Sequence, residues 1–472
     1  MALRTPSIFR KFVDMEESMS LFALEVDGVR IWERIRAPLY LRLQNRIISK
    51  KEETKPKQSL KKRIMFYIKS IIRLDKNPLF SFSKDVLICG SQRRFLHEDG
   101  KWWDIYTDYI LDKIEHSTIS IERSWQLGHR KPSKTKNLYY FDIMETLIFI
   151  ANRLKLFQVN LQSHEMKSLL NISREIKKRF NIYIDVMQYA TTVLSRRKIK
   201  LAFYRVLLKR INPKLVLLVV SYEREDLIEA CKELGIPTVE LQHGVISPHH
   251  PGYSFPPSTK QIETFPDYIL LFGDYWKTRS SFPISSNRLV PVGYPHMENM
   301  LIRCKRLNKR KQVVFISQPM LGDGLVKFAV QLSQIDDFDY DIIFKLHPKE
   351  IANWKEKYPL LVDTDIIVAD SLEQILYDLF AQSVAQIGVS STALYEGMAF
   401  NLETFIIDIP SSSYFHDLIE EGLVHLVSRP EQIRDILINK STTDEIETSK
   451  IFLSSSTERI LEFINRMVNR NA

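Results

Sequence analysis

The pattern of apolar and polar positions changes character near residue 214. From there, short continuous apolar runs alternate with stretches of helical period. KLVLLVVSY (214–222) is an unbroken apolar run, as expected of a strand buried on both faces. EREDLIEACKELG follows with a helical pattern, carrying Asp226 and Glu229 early and Gly235 as its stop. IPTVELQHG then reads as a second strand, and the short connections make a parallel, right-handed strand–helix–strand unit. PDYILLFG and NRLVPVG continue as strands, with DYWKTRSSF a short helix between them. The basic stretch IRCKRLNKRKQ (302–312) marks a domain boundary.

Beyond it the alternation restarts. QVVFIS, YDIIFKLHP, DIIVA, VAQIGV and LETFIID read as strands. GLVKFAVQLSQI, SLEQILYDLFAQ and TALYEGMAF read as helices, with two more around 430–438 and 446–469. In the first 200 residues, KDVLICG and STISIER read as strands, WWDIYTDYILDKI as a helix between them, and 140–200 as largely helical. The expected architecture is α/β, with two doubly wound Rossmann-type domains facing a cleft that holds the ligand. The expected divisions are a basic, irregular segment at 1–80, an acceptor domain at 81–301, and a nucleotide-sugar domain at 302–472 with a closing C-terminal helix.

Composition adds limits rather than detail. The chain has 472 residues, 44% of them hydrophobic and 26% charged, which excludes whole-chain disorder. Cys89, Cys231 and Cys304 stand too far apart for a disulfide framework or a CxxC zinc site, and this usage fits a reducing compartment. The N-terminus lacks a signal-peptide core. The longest apolar stretch is far short of the ~20 residues a membrane span needs. A cytoplasmic protein is therefore expected. Most of the net charge of +10 comes from residues 41–80, where twelve Lys/Arg face only Glu52, Glu53 and Asp75. Within that window, LKKRIMFYIKSIIRL sets basic residues beside Ile64, Phe66, Ile68, Ile71 and Ile72. Such a helix either packs one face on the protein body or docks on the anionic inner face of the cell membrane. No nucleic-acid-binding signature accompanies the charge, so no nucleic-acid partner is expected.

Three segments carry chemistry. In VAQIGVSSTALYEGMAF a buried strand ends at Val389, and Ser390, Ser391 and Thr392 sit where the chain turns into a helix. Hydroxyls and free amides there can cap the helix or hold a phosphate. Glu396 lies one turn deeper, placed either to accept ribose hydroxyls or to complete a capping box. In YDIIFKLHPKE, Lys345 and His347 share one side of a strand that Pro348 terminates, where a His can donate to a phosphate oxygen or serve the fold alone. His347 precedes the Ser-Ser-Thr turn by 43 residues, room for a strand, a helix and a strand. In VELQHGVISPHHPGYSFP, His243 and Gly244 end a strand of the first half, and His243 is a candidate base or phosphate donor. His249 and His250 lack a third ligand at convincing spacing, so neither a metal nor another cofactor is expected. Glu98, Asp99 and Gly100 form either a turn or a carboxylate base. The acidic DDFDYD and DTD runs read as solvated loops.

LHP and the later SST…E resemble the HP and Ser/Thr motifs of GT-B glycosyltransferases of bacterial surface polysaccharides. Those include capsule-type sialyl- and Kdo-transferases and the glycerophosphotransferases of teichoic acid synthesis. The resemblance covers roughly 214–440. It implies that His347 steadies the leaving nucleotide phosphate, that Ser390, Ser391 and Thr392 form the phosphate-binding turn, and that Glu396 faces ribose or base. His243 resembles the HG histidine of the glycerophosphotransferases, and Glu98–Asp99–Gly100 is similar to the acidic motif holding the base in sialyltransferases. Gly244, Gln318, Lys345 and Pro348 complete the implied donor-binding set. The function implied is an inverting, metal-independent transfer from a CMP-, UDP-, CDP- or GDP-linked sugar to a glycan or lipid-linked acceptor. A sugar-nucleotide epimerase and a non-catalytic nucleotide-binding component of a polysaccharide assembly complex are the alternatives.

Overall fold

The computed structural model describes residues 5–49, 59–92, 94–259, 261–371, 376–409, 412–439 and 448–470. The chain divides into two units, Ser7–Pro295 together with Leu453–Ala472, and a second built on His296–Phe452.

The first unit is organised by a parallel sheet of β1 (Val86–Cys89), β2 (Thr118–Glu122), β3 (Leu138–Tyr140), β4 (Leu215–Val219), β5 (Thr238–Leu241), β6 (Tyr268–Leu271) and β7 (Leu289–Pro291). Their order is β7-β6-β5-β4-β1-β2-β3, and every neighbouring pair is parallel. Strands β1 and β4 are buried along their whole length, which their unbroken apolar sequences require. Alternate residues serve opposite faces. Leu87, Val216 and Leu218 join a core with Tyr204, Leu207 and Leu208, while Ile88, Leu215 and Leu217 join another with Ile460, Phe463 and Ile464. Those last three belong to the closing helix Ser456–Arg470, which therefore covers the first sheet. The expectation had placed this helix with the second domain, because its apolar face gives no partner in sequence. Of the helix expected at 446–469, residues 446 and 447 lie outside the described residues.

The N-terminal segment is helical rather than irregular. It forms α1 (Thr5–Ser18), α2 (Ile31–Ser49) and α3 (Leu60–Ile72), followed later by α4 (Asp142–Arg153), α5 (Ser163–Phe180), α6 (Val186–Ile211) and α7 (Glu225–Glu233). Helices α1, α2, α5 and the start of α6 close around a separate core that includes Phe12, Trp32, Tyr40, Leu169 and Ile172. Arg36 is fully buried there. It donates to Glu16 through Nε (2.7 Å) and Nη2 (2.9 Å), and to the carbonyls of Pro251 and Ser254 in the loop beyond β5. Trp32 Nε1 donates to the same carboxylate at 2.6 Å. Lys50, Lys51, Lys55 and Lys57 of the basic window lie outside the described residues.

The expected helix at 102–114 is a correction. Trp102–Asp104 pairs antiparallel with Arg94–Leu96, and only Asp108–Leu111 forms a helical turn. Two adjacent tryptophans favour a strand, and Gly100 at φ +73° supplies the left-handed residue of the hairpin turn. Glu98 and Asp99 sit at that hairpin tip.

The second unit carries β8 (Gln312–Ile316), β9 (Asp341–Lys345), β10 (Ile367–Ala369), β11 (Ala385–Gly388), β12 (Glu403–Ile407) and β13 (His425–Val427). The order is β10-β9-β8-β11-β12-β13, parallel throughout. Each unit thus starts in the middle of its sheet, builds to one edge, and returns to build the other. This is the doubly wound, Rossmann-type α/β class expected. The helix Pro295–Cys304 runs into the basic stretch expected to be a linker, so the division falls at its start. Burial pushes all three thiols up, Cys304 to about 11, which leaves them unreactive. No helix among the described residues is long and apolar enough to cross a membrane.

Glu16→Ala strands the buried Arg36 guanidinium without its carboxylate. It is expected to destabilise the first unit by about 3–5 kcal/mol, read from urea unfolding. A loss under ~1 kcal/mol would show that the pair is solvated.

Candidate functional site

In a doubly wound sheet the two central strands are followed by connections that leave in opposite directions, and a crevice opens at their carboxyl ends. In the first unit those strands are β1 and β4, and the crevice is present. A cavity of about 130 Å³ is lined by Gly90, Ser91 and Gln92 after β1, Arg123 after β2, Tyr222 and Arg224 after β4, and His243 after β5. Val220, also in its wall, holds φ +71°, a left-handed conformation that a β-branched residue adopts only under strain. Arg224 donates to the Gly90 carbonyl at 3.3 Å, and its Nη1 is buried without a hydrogen-bond partner. Burial holds its guanidinium below its ordinary value, with Arg123 adding to the effect. An anionic or multiply hydroxylated group entering here would meet these donors.

His243 is the best-determined side chain of this crevice. The Tyr253 hydroxyl donates its only proton to Glu240, a fully buried carboxylate on β5, and stands 3.2 Å from His243 Nδ1. Nδ1 must therefore carry the ring hydrogen and donate to the Tyr253 oxygen. In the neutral tautomer that this hydrogen bond selects, the lone pair is on Nε2, which lies 3.2 Å from the Tyr222 hydroxyl. Tyr106 fixes the backbone by donating to the His243 carbonyl at 2.8 Å. In that tautomer Nε2 can accept a proton from a hydroxyl. Gly244 follows directly, its carbonyl accepting from Gln242 Nε2 at 2.8 Å.

The neighbouring histidines differ. His250 packs at tilted angles against Tyr253 and Tyr222, and burial, helped by His243 and Arg36, drives it down to about 3. His249 is also lowered by burial and packs on Phe9. Among the described residues no cluster of three or more metal-ligating side chains occurs. Glu98 and Asp99 do not line the cavity. Slight desolvation of Asp99 is outweighed by hydrogen bonds from the Lys101 amide (3.0 Å) and Trp103 Nε1 (3.2 Å), which hold its carboxyl below the ordinary value. A carboxylate so stabilised is a poor base.

In the second unit the central strands are β8 and β11, and Gln318 bridges their ends. Its Oε1 accepts from the Ser390 amide at 3.0 Å and its Nε2 donates to Ser390 Oγ at 3.2 Å. Ser391 caps the helix Thr392–Met398 by accepting from the Ala393 amide. Glu396 does not complete a capping box. It accepts instead from the Tyr377 hydroxyl at 2.9 Å, and burial pushes its carboxyl up to about 7.

One strand over, Leu346, His347 and Pro348 follow β9. His347 Nδ1 accepts from the Lys349 amide at 3.2 Å, so the neutral ring carries its hydrogen on Nε2. Burial lowers its pKa, which keeps it a neutral donor at pH 7. Glu350, buried, accepts from the His347 amide, Ser317 Oγ, Lys357 and Tyr358. Lys345 is partly buried and lowered by that burial, its ammonium donating to the Ser371 carbonyl at 2.9 Å.

The structure thus groups Gln318 with Ser390, and sets His347 beside Glu350. It places His243 and Gly244 in the other unit and sets Glu98 and Asp99 apart. Arg123, Tyr222, Arg224, Glu240 and Tyr253 were not singled out in the sequence. Arg123, Tyr222 and Arg224 stand just past the carboxyl ends of β2 and β4, so examining each strand's exit would have found them.

No family model matches the sequence, and no curated protein matches it. The fold is similar to solved structures at low identity. A UDP-GlcNAc 2-epimerase from Neisseria meningitidis bound to UDP-GlcNAc is 10% identical, with 81% of this chain and 99% of that chain covered and a TM-score of 0.48. MurG of Acinetobacter baumannii has 10% identity, the same coverages and a TM-score of 0.46. The wall teichoic acid polymerase TagF has 11% identity, coverages of 87% and 97%, and a TM-score of 0.44. Likeness at this level says nothing of activity.

Glu396 provides a pH test. Its folded value, about 7, lies above the ordinary 4.5, so the folded state keeps a proton that the unfolded chain has released. The associated stability is complete at acid pH and is lost as pH rises from about 4.5 to 7, worth about 3 kcal/mol. Glu396→Gln is expected to flatten that decline when unfolding is compared at pH 5 and pH 8. An unchanged pH profile would refute the raised value.

Proposed function

We propose that the chain is an inverting, metal-independent glycosyltransferase that moves a sugar from a nucleotide-sugar donor to a hydroxyl of a surface-polysaccharide or glycolipid acceptor. The observation that most supports this reading is His243. Tyr253, its proton given to Glu240, selects the tautomer with the ring hydrogen on Nδ1, and Nε2 meets a hydroxyl at the crevice of a doubly wound sheet.

In this reading the acceptor hydroxyl takes the position of the Tyr222 hydroxyl at Nε2. His243 removes its proton as the oxygen bonds to the sugar's anomeric carbon. The bond from that carbon to the donor phosphate oxygen breaks, and its electron pair leaves with the nucleotide. Taken by itself, the second unit offers donors suited to a nucleotide phosphate in His347 Nε2–H, the Ser390–Thr392 turn and Gln318, with Glu396 suited to a ribose hydroxyl. Lys345 acts at longer range, its ammonium already engaged. A lipid-linked acceptor would bring the enzyme to the inner face of the cell membrane.

The test is incubation with CMP-, UDP-, CDP- and GDP-sugars, with and without glycan acceptors, following free nucleotide and product. Acceptor-dependent nucleotide release is expected, and His243→Ala should lower kcat by about 10²–10⁴-fold at an unchanged melting temperature. Epimerised donor formed without acceptor would replace this reading with the epimerase. Nucleotide binding with no turnover, unaltered by His347→Ala, would leave a non-catalytic nucleotide-binding component.

A further inference from the structure

Helix α3 is built inside out. Its buried residues, Phe66 and Ser70, face α4, where Tyr67 stacks on Phe149 at 4.2 Å and Ser70 Oγ meets Thr146 Oγ at 2.6 Å. Ile64, Ile68, Ile71 and Ile72 point the other way and are 47%, 46%, 52% and 70% exposed. At 100° per residue these side chains, with Leu60 and Met65, occupy one arc of α3, interrupted only by Lys61 between Ile68 and Ile72. A soluble helix has the opposite arrangement, and a run of isoleucines facing water implies something that covers it. Leu147 and Ile150 of α4, and Leu154 just past its end, are exposed as well.

The charge beside this arc identifies the cover. Lys62, Lys69 and Arg73 fall on one border of it, and Arg63 on the other. Among the described residues, Lys62, Lys69 and Arg73 form no ion pair. They edge a cavity of about 320 Å³ beneath α3, whose far wall includes Lys131, His129 and Asp142. The carboxylate is engaged by His129 at 3.0 Å, so the three α3 cations dominate the opening.

We infer that α3 lies in the plane of an anionic phospholipid bilayer. Its isoleucines enter the acyl region, and Lys62, Lys69 and Arg73 hold lipid phosphates, one of them over the cavity. An apolar protein partner would not require cations along one border of the stripe, and nucleic acid would not require the stripe. The inference concerns the location of the protein and stands apart from the reaction proposed above.

The test is co-sedimentation of the full chain with phosphatidylcholine vesicles, with and without phosphatidylglycerol. Binding should need phosphatidylglycerol and weaken as salt rises. Ile68→Glu/Ile72→Glu should abolish it. Lys62→Glu/Lys69→Glu/Arg73→Glu should reduce affinity on the order of a hundredfold, since each basic side chain near the surface is worth about fivefold. Melting temperature and nucleotide binding should be unchanged in both variants, so failure here is distinguishable from failure of the proposed reaction. Absence of vesicle binding, or binding indifferent to either variant, overturns the inference. Self-association removed by Ile68→Glu/Ile72→Glu, without lipid binding, would assign the stripe to a second copy and also overturn it.

Discussion

Each unit holds a fully buried glutamate beside its candidate histidine, and both sites depend on satisfying that carboxylate. Glu240 lies on β5 three residues before His243, and Glu350 lies three residues after His347. An unpaired carboxylate in such a place would cost several kcal/mol, so donors must be brought to it. In both units a tyrosine hydroxyl does so, Tyr253 for Oε1 of Glu240, whose Oε2 has no hydrogen-bond partner among the described residues, and Tyr358 for Glu350. The consequences reach the histidines by different routes. Tyr253, its proton committed to Glu240, fixes the tautomer of His243. Glu350 takes the His347 amide and so holds the backbone turn from which that ring projects.

The loop that carries Tyr253 depends in turn on the N-terminal helices. Arg36, locked to Glu16, donates to the Pro251 and Ser254 carbonyls on either side of it. The residues that read as an irregular leader thus brace the tyrosine that orients the candidate base. This chain of contacts runs from α1 to the crevice within one unit and is made entirely of buried polar groups, where geometry is least free to drift.

The parallel strands were legible because burial on both faces leaves unbroken apolar runs, as in Leu215–Val219 and Gln312–Ile316. Carboxyl ends follow once strands are known, and His243, His347 and the Ser390–Thr392 turn were found that way. Packing partners were not legible. The closing helix advertises an apolar face but not the sheet it covers, and the outward turn of α3's isoleucines is invisible until Phe66 and Ser70 are seen to face α4. Glu98–Asp99 stayed open between two readings because an acidic pair before glycine suits a hairpin turn as well as a base, and the hairpin is the one formed. Tyr253 and Glu240 were missed because their role arises only from contact between them.

The return of the chain to the first unit at Leu453 has a consequence for biosynthesis. The second unit is an insertion, complete in sequence before the first has its closing helix. On the ribosome, the sheet of β8–β13 can bury its core while the face of β1 and β4 that awaits Ile460, Phe463 and Ile464 is still bare. The earlier-translated unit is thus the later to finish, and a nascent chain halted before residue 456 would carry a finished second unit joined to a first unit still exposing a hydrophobic sheet.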